Sequence, residues 1–320
     1  MNLSGMAYGY ATSQIIYAAV RLGLPELLAG RAVFFGDLVK DTGCDERSLD
    51  RLVRALVMLG VAREMAPGVL TLTPAGQPLR ADHPRSMRSS VLLLGDPATW
   101  QAWGALTHSV RTGEAAWEHV HGKPLFDYLG GHPELSRVFN EAMREGTGWV
   151  AAELPKVYDF SGVGTVVDVG GGNGALLSAV LAAAPGAHGV LFDTADGVAG
   201  AAGPFQVVTG DFFAAVPPGD VMLLKGVLHD WDDARCTAIL RNCRRSIAPD
   251  GRLLVLEPVV GSRPDAGAVM SDLAMLVYTG GWERTRAEFE ELLDGAGFVL
   301  TEVTAPLAGS ATRVLVAVPG

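Results

Sequence analysis

Three residues in the last third of the chain, His229, Glu257 and Glu283, are of the types that move protons, and each stands at the end or edge of a predicted element. The run Val221 to Asp233, VMLLKGVLHDWDD, reads as a strand that delivers Lys225, His229, Asp230 and Trp231 to the carboxyl edge of a sheet, where ligands bind in α/β folds. Glu257 ends the next apolar run in LLVLEP, and Glu283 sits in GGWERT just before a helix capped by Thr285. Alone, a histidine in an apolar stretch is more often a packing residue. Two carboxylates near one imidazole would orient it and raise its pKa.

A second chemical signal lies upstream. Val166 to Gly174, VVDVGGGNG, is an apolar run followed by glycines at 170, 171, 172 and 174, and Leu176 to Ala184 then reads as a helix. Strand, glycine turn and helix form the first unit of a doubly wound nucleotide-type fold, in which the glycines let the turn approach a ligand closely. Gly170 and Gly172 fit the first two positions of a dinucleotide turn, with Ala175 in the third, so the glycine pattern alone separates the readings poorly. Asp168 favours a ligand carrying positive charge, such as the sulfonium and amino groups of S-adenosylmethionine, over a diphosphate. Asp193 closes the second strand in VLFD, placed for ribose hydroxyls. Asp211 closes the third in TGDFF, where it could take an adenine amino group while Phe212 packs on the ring. Each acid alone has an equally good loop-capping role; three in register at successive strand ends point to a ligand.

The elements that must position these residues divide into three stretches: 1–95, 96–160 and 161–320. In the first, Asp45 caps a helix with Leu49, Leu52, Val53, Leu56 and Leu59 at helical spacing, and Val61 to Thr73 reads as a hairpin around Pro67-Gly68. This is a winged-helix pattern, but the candidate recognition helix sets Asp45, Glu46 and Asp50 against Arg47, Arg51 and Arg54, leaving no excess of positive charge for phosphates. Dimerisation or scaffolding is the expected role. Residues 96–160 are a helical connector rich in aromatic side chains. From Thr165 onward, strand-like runs at 165–169, 189–192, 206–209, 221–224, 252–257, 298–303 and 313–318 alternate with helices, including a capping-box helix begun by Thr285 and Glu288. The expected fold is α/β, with a seven-stranded, mostly parallel Rossmann-like sheet.

Composition bounds the partners. The 320 residues are 49% hydrophobic and carry a formal net charge of −10, which argues against nucleic acid or an anionic membrane surface. No apolar run approaches the roughly 20 residues of a spanning helix, and the first residues lack the basic start and apolar core of a secretory signal, so a cytoplasmic protein is expected. Cys236 and Cys243, on one helical face with Ile239, Leu240 and Ile247, read as reduced core thiols.

Taken together, DVGGGNG, GDFF, LKGVLHDWDD, GRLLVLEP and DLAMLVYTGGWERT resemble the plant caffeate-type and bacterial small-molecule O-methyltransferases that use S-adenosylmethionine without metal. The resemblance covers nearly the whole chain. It implies a class I methyltransferase domain behind a winged-helix dimerisation domain, and an intertwined homodimer. It further implies a histidine base at His229, buttressed by Glu257 and Glu283 with Asp230 beside it. Cofactor contacts are implied at Gly170, Gly172, Asp193, Asp211, Phe212 and Lys225. FNEAM places Asn140 and Met143, with Phe139, on a helix facing cofactor and acceptor, and Met275 matches a substrate-clamping methionine; Tyr278 and Trp103 are further candidates for a flat aromatic acceptor site. The acids Asp230, Asp232 and Asp233 raise the question of magnesium, but Asp232 and Asp233 stand where a helix begins and stabilise its N-terminus, and no metal is expected. One departure is the segment TADGVAGAAGPFQ after Asp193, shorter than the family's usual continuation. Open alternatives are transfer to nitrogen or carbon, an off-path decarboxylation or hydroxylation, a cofactor-sensing regulator and, least favoured, an NAD dehydrogenase.

Overall fold

A computed structural model describes residues 3–261, 266–308 and 310–320, in two compact units. The first comprises residues up to Trp100 together with Glu134–Glu145; the second comprises Gln101–Pro133 and Gly146–Gly320.

In the first unit, the helices Gly9–Arg21, Phe35–Thr42 and Glu46–Met58 accompany a small antiparallel sheet of β1 (Val33–Phe34), β2 (Ala62–Ala66) and β3 (Val69–Leu72), in the order β1-β3-β2. Asp45 caps the third of these helices, accepting the Ser48 amide at 2.9 Å, and Leu49, Val53 and Leu56 turn the helix's apolar face into a core with Leu24, Leu38, Leu70 and Leu72. Helix, helix and hairpin thus follow the winged-helix order expected from the sequence.

The second unit is built on seven strands: β4 (Thr165–Val169), β5 (His188–Asp193), β6 (Gln206–Thr209), β7 (Gly219–Lys225), β8 (Ile247–Pro258), β9 (Phe298–Val303) and β10 (Thr312–Pro319). Their order is β6-β5-β4-β7-β8-β10-β9, parallel as far as β8, with β10 running antiparallel to both β8 and β9. The continuous apolar runs arise because both faces are covered. Val167, Met222, Leu224, Leu253 and Val255 enter one core with Ile239 and Phe289, while Val166, Leu223, Leu254 and Leu256 enter the other with Leu177 and Val180. β8 starts five residues before the expected 252, because Ile247 already pairs with Gly219 ahead of an irregularity in the ladder.

Strand order reverses at β4, which pairs with both β5 and β7, so the crevice for a ligand opens beyond its carboxyl end. The glycine turn lies there and leads into the helix Ala175–Ala183. Cys236 and Cys243 are fully buried free thiols, each pushed up to about 12 by burial. Among the described residues, no helix is long and apolar enough to cross a membrane.

Candidate active site

After β7 the chain turns at Gly226 (φ 60°) into a short 3-10 turn, Leu228–Asp230, which presents His229 at the sheet's carboxyl edge. Such a segment leaves backbone polar groups without ladder partners, and each must find another. Glu257, fully buried, accepts the amides of Val227, Leu228 and His229 on Oε1 at 3.0, 2.7 and 3.3 Å. Arg284, 1% exposed, donates to the carbonyls of Leu228 and Trp231 at 3.0 and 2.9 Å and pairs with Asp233 at 2.8 Å. The Cys236 thiol donates to the Leu228 carbonyl at 3.1 Å. Gly281 packs so tightly here that a methyl group on it would overlap the His229 carbonyl oxygen.

The imidazole is held by Glu283, whose Oε1 lies 2.8 Å from His229 Nδ1. The same oxygen accepts the Ser271 hydroxyl at 2.6 Å, and Asp272 Oδ1 accepts the Glu283 amide at 2.9 Å. The two glutamates therefore act differently: Glu283 bonds the ring, whereas the hydrogen bonds of Glu257 go to the backbone and its influence on the ring is through charge. Burial lowers the pKa of His229, but the charge of Glu257, the hydrogen bond to Glu283 and the charges of Asp230 and Glu283 outweigh it, and the pKa rises to about 9. Burial pushes Asp230 up to about 6 against the pull of His229, and drives Lys225 down against Asp168, Glu257 and Asp230.

At the glycine turn, Gly170, Gly172 and Gly174 have φ of 71°, 57° and 77°, a region that disfavours any side chain. A side chain at Gly172 would meet only open space, so its conformation, not crowding, demands glycine. Asp193 Oδ2 accepts the Gly172 amide at 2.8 Å, tying the end of β5 to the turn. Asp168 is 1% exposed and lies beneath the turn, against Gly171, so its carboxylate faces the turn's underside. Burial and the neighbouring Asp193 push it up to about 7, opposed by Lys225. Asp211 accepts the Phe213 amide at 2.8 Å, and Asn242, buried in the Asp233–Ser246 helix, donates to the carbonyls of Phe212 and Phe213 at 2.8 and 2.9 Å. Phe212 and Phe213 meet Trp231 edge to face. Residues 194–205 form turns without helix or strand, and Phe205 fills the space beside Gly174.

Of the expected acceptor contacts, Trp103 and Tyr278 join through a 2.8 Å hydrogen bond from the indole to the phenol, and Tyr278 and Met275 share a face of the Ala266–Tyr278 helix. Phe139, Asn140 and Met143 lie on neighbouring positions of the Pro133–Val157 helix, in the part belonging to the first unit. Sequence reasoning missed Ser271, Asp272, Arg284, Gly281 and Asn242. Ser271 had a signal, because it precedes Met275 and Tyr278 at i, i+4 and i+7. His229, Glu257 and Glu283 bring atoms of ligand type within 4.8 Å of one another. Oε1 of each glutamate already accepts N–H or O–H donors, a set suited to holding a proton. Asp232 caps its helix by accepting the Arg235 amide at 2.8 Å, and Asp233 is taken by Arg284.

Residues 103–299 match the O-methyltransferase domain family, and residues 5–81 match the O-methyltransferase dimerisation domain. The chain is 42% identical over 317 residues to O-demethylpuromycin-O-methyltransferase of Streptomyces alboniger, covering 94% of this chain and 84% of that one. It is 39% identical over 299 residues to 8-amino-8-demethylriboflavin N,N-dimethyltransferase of Streptomyces davaonensis, covering 89% and 86%. The fold is similar to that of CalO1, a methyltransferase in calicheamicin biosynthesis solved in its SAH-bound form, with a TM-score of 0.84, 35% identity and coverage of 99% and 97%. The seven-stranded sheet and its glycine turn are those of class I methyltransferases. The chain belongs to the O-methyltransferase family, and S-adenosylmethionine is its methyl donor.

Replacing Arg284 with Met removes the charged donor from the Leu228 and Trp231 carbonyls and leaves them only the weak Cys236 thiol; we expect a loss of about 2–3 kcal/mol of stability, read from the urea midpoint at unchanged slope.

Proposed function

We propose that the enzyme methylates a phenolic hydroxyl of a small secondary metabolite, that His229 is the general base, and that no metal takes part. The observation that carries this reading is the 2.8 Å contact between His229 Nδ1 and Glu283. With its Nδ1–H donated to that carboxylate, the neutral ring has its acceptor lone pair on Nε2, the atom that would take the hydroxyl proton. The names of the matching Streptomyces enzymes support a small-molecule acceptor, and the net charge of −10 disfavours nucleic acid and anionic membranes as partners. The family's dimerisation domain at residues 5–81 supports a homodimer.

S-adenosylmethionine supplies an electrophilic methyl group. The backbone of Gly170 and Gly172 would seat it, Asp193 would take ribose hydroxyls on lone pairs beyond those already bonded, and Asp211, Phe212 and Lys225 would border the adenosyl group. Trp103, Met275 and Tyr278 would hold a flat acceptor. Burial raises the pKa of the Tyr278 hydroxyl, partly offset by the hydrogen bond from Trp103, so it stays a neutral polar handle on an aromatic wall.

The proton balance has a definite size. A phenol of pKa about 10 and an ordinary imidazole differ by about 3.5 units, or about 5 kcal/mol. With His229 at about 9 the gap shrinks to roughly one unit, about 1.4 kcal/mol. The counterweight is occupancy: at pH 7 most of the ring is protonated, and only the neutral fraction can act. Holding acceptor and methyl donor in line supplies most of the remaining rate. Transfer to nitrogen is the second reading, favoured by the similarity to the N,N-dimethyltransferase.

Incubation with labelled methyl donor and a panel of phenols and anilines, read by mass spectrometry, is expected to label phenols; exclusive labelling of anilines would overturn the oxygen reading. His229→Ala should lower turnover at least a hundredfold while calorimetry shows unchanged affinity for S-adenosylhomocysteine; near-normal turnover would remove His229 from the mechanism. Turnover should rise with pH through the folded pKa of His229, and Glu283→Gln, which removes a charge favouring the imidazolium, should move that rise to lower pH. The same shift makes stability pH-dependent: the contribution is complete below about 6.5, the unfolded value, and is lost as pH climbs through about 9. Full activity in excess EDTA is expected; loss restored by magnesium would overturn the metal-free reading.

A further inference from the structure

Ser271 lies on the same stripe of the Ala266–Tyr278 helix as Met275 and Tyr278. Its hydroxyl is 2.6 Å from Glu283 Oε1, the oxygen that also meets His229 Nδ1 at 2.8 Å. One carboxylate oxygen thus takes two donors from two different elements. The other, Oε2, is buried and has no hydrogen-bond partner among the described residues. The adjacent Asp272 fixes the Glu283 backbone amide at 2.9 Å, so consecutive helix residues grip this glutamate at both ends. A helical serine commonly returns its hydroxyl to its own helix backbone. Here it leaves the helix for a carboxylate twelve residues further on.

We propose that Ser271 is a positioning residue for methyl transfer: by donating to Glu283 Oε1 it fixes that carboxylate against His229 and takes up part of the negative charge that would otherwise hold the imidazole's proton. The inference rests on His229 being the base. The charged groups around His229 are Glu257 at the end of β8, Asp230 beside it and Glu283 ahead of the Arg286–Gly295 helix. Behind them stand Lys225 at the end of β7, Asp272 on the serine's own helix, and Arg284 on the carbonyls of Leu228 and Trp231. Ser271→Ala changes none of these charges. It removes only the competing donor.

The test is an NMR titration of the His229 imidazole in the full-length protein without cofactor, the resonance being identified by its loss in His229→Gln. With one of two donors gone, Ser271→Ala should titrate about half a pH unit higher than the wild type. Ser271→Thr, which keeps a hydroxyl, should titrate as the wild type does. A midpoint that stays put or falls in Ser271→Ala overturns the proposal. In phenol methylation, Ser271→Ala should lose about threefold in turnover at pH 7 and recover above pH 9, with unchanged affinity for S-adenosylhomocysteine; a loss uniform across pH marks a packing role and also overturns it. Near-normal turnover in His229→Ala would instead overturn the base assignment, while the titration midpoint still decides what Ser271 does to Glu283.

Discussion

A buried carboxylate cannot stay ionised without a donor or a positive charge beside it, and the arrangement around Glu283 follows from that constraint. Its Oε1 takes a proton donor from the His229 ring and another from Ser271. Glu257 adds a second buried negative charge, and the imidazole is the titratable group among them whose charged form relieves both. A proton on His229 is therefore part of the folded protein's electrostatic balance. In the proposed reaction, that is the hold the ring has on a hydroxyl proton.

Rigidity of the ring depends on a single 3-10 turn that lies outside the sheet's ladder and the α-helices. Glu257 collects three amides, Arg284 satisfies two carbonyls, Cys236 adds a donor, and Gly281 closes in from the other side. Apart from the charge that Glu257 sets beside the ring, their part is structural. They matter because a loop whose backbone groups find such partners has few alternative conformations of comparable energy. The cation–π contact of Arg284 with Trp282 and the ion pair to Asp233 extend the same scaffold.

The donor side uses acids in a complementary way. Asp168 lies under the glycine turn with one oxygen unpartnered among the described residues, and Asp193 is bonded to the turn from the neighbouring strand. Both shape the turn before any ligand arrives. Lys225, pressed by burial toward its neutral form, feels the charge of Asp168 on one side and of Glu257 and Asp230 on the other, and so couples the two halves of the site electrostatically.

The features legible along the chain were those carried by local pattern. Continuous apolar runs marked the parallel strands because both sheet faces are covered, Asp45 and Thr285 marked helix starts because their side chains cap the following amides, and positive-φ glycines marked the turn. Strand ends then put His229, Glu257, Asp193 and Asp211 on one rim without further information. Tertiary structure alone decided what each acid does there. Glu257 reaches amides twenty-eight to thirty residues away, Ser271 reaches Glu283 across twelve, and Arg284 reaches Leu228 across fifty-six. Such contacts depend on side-chain direction and burial where separate elements meet. Neither has a periodicity along the chain, so the burial of Asp168 beneath the glycine turn could not be read from it.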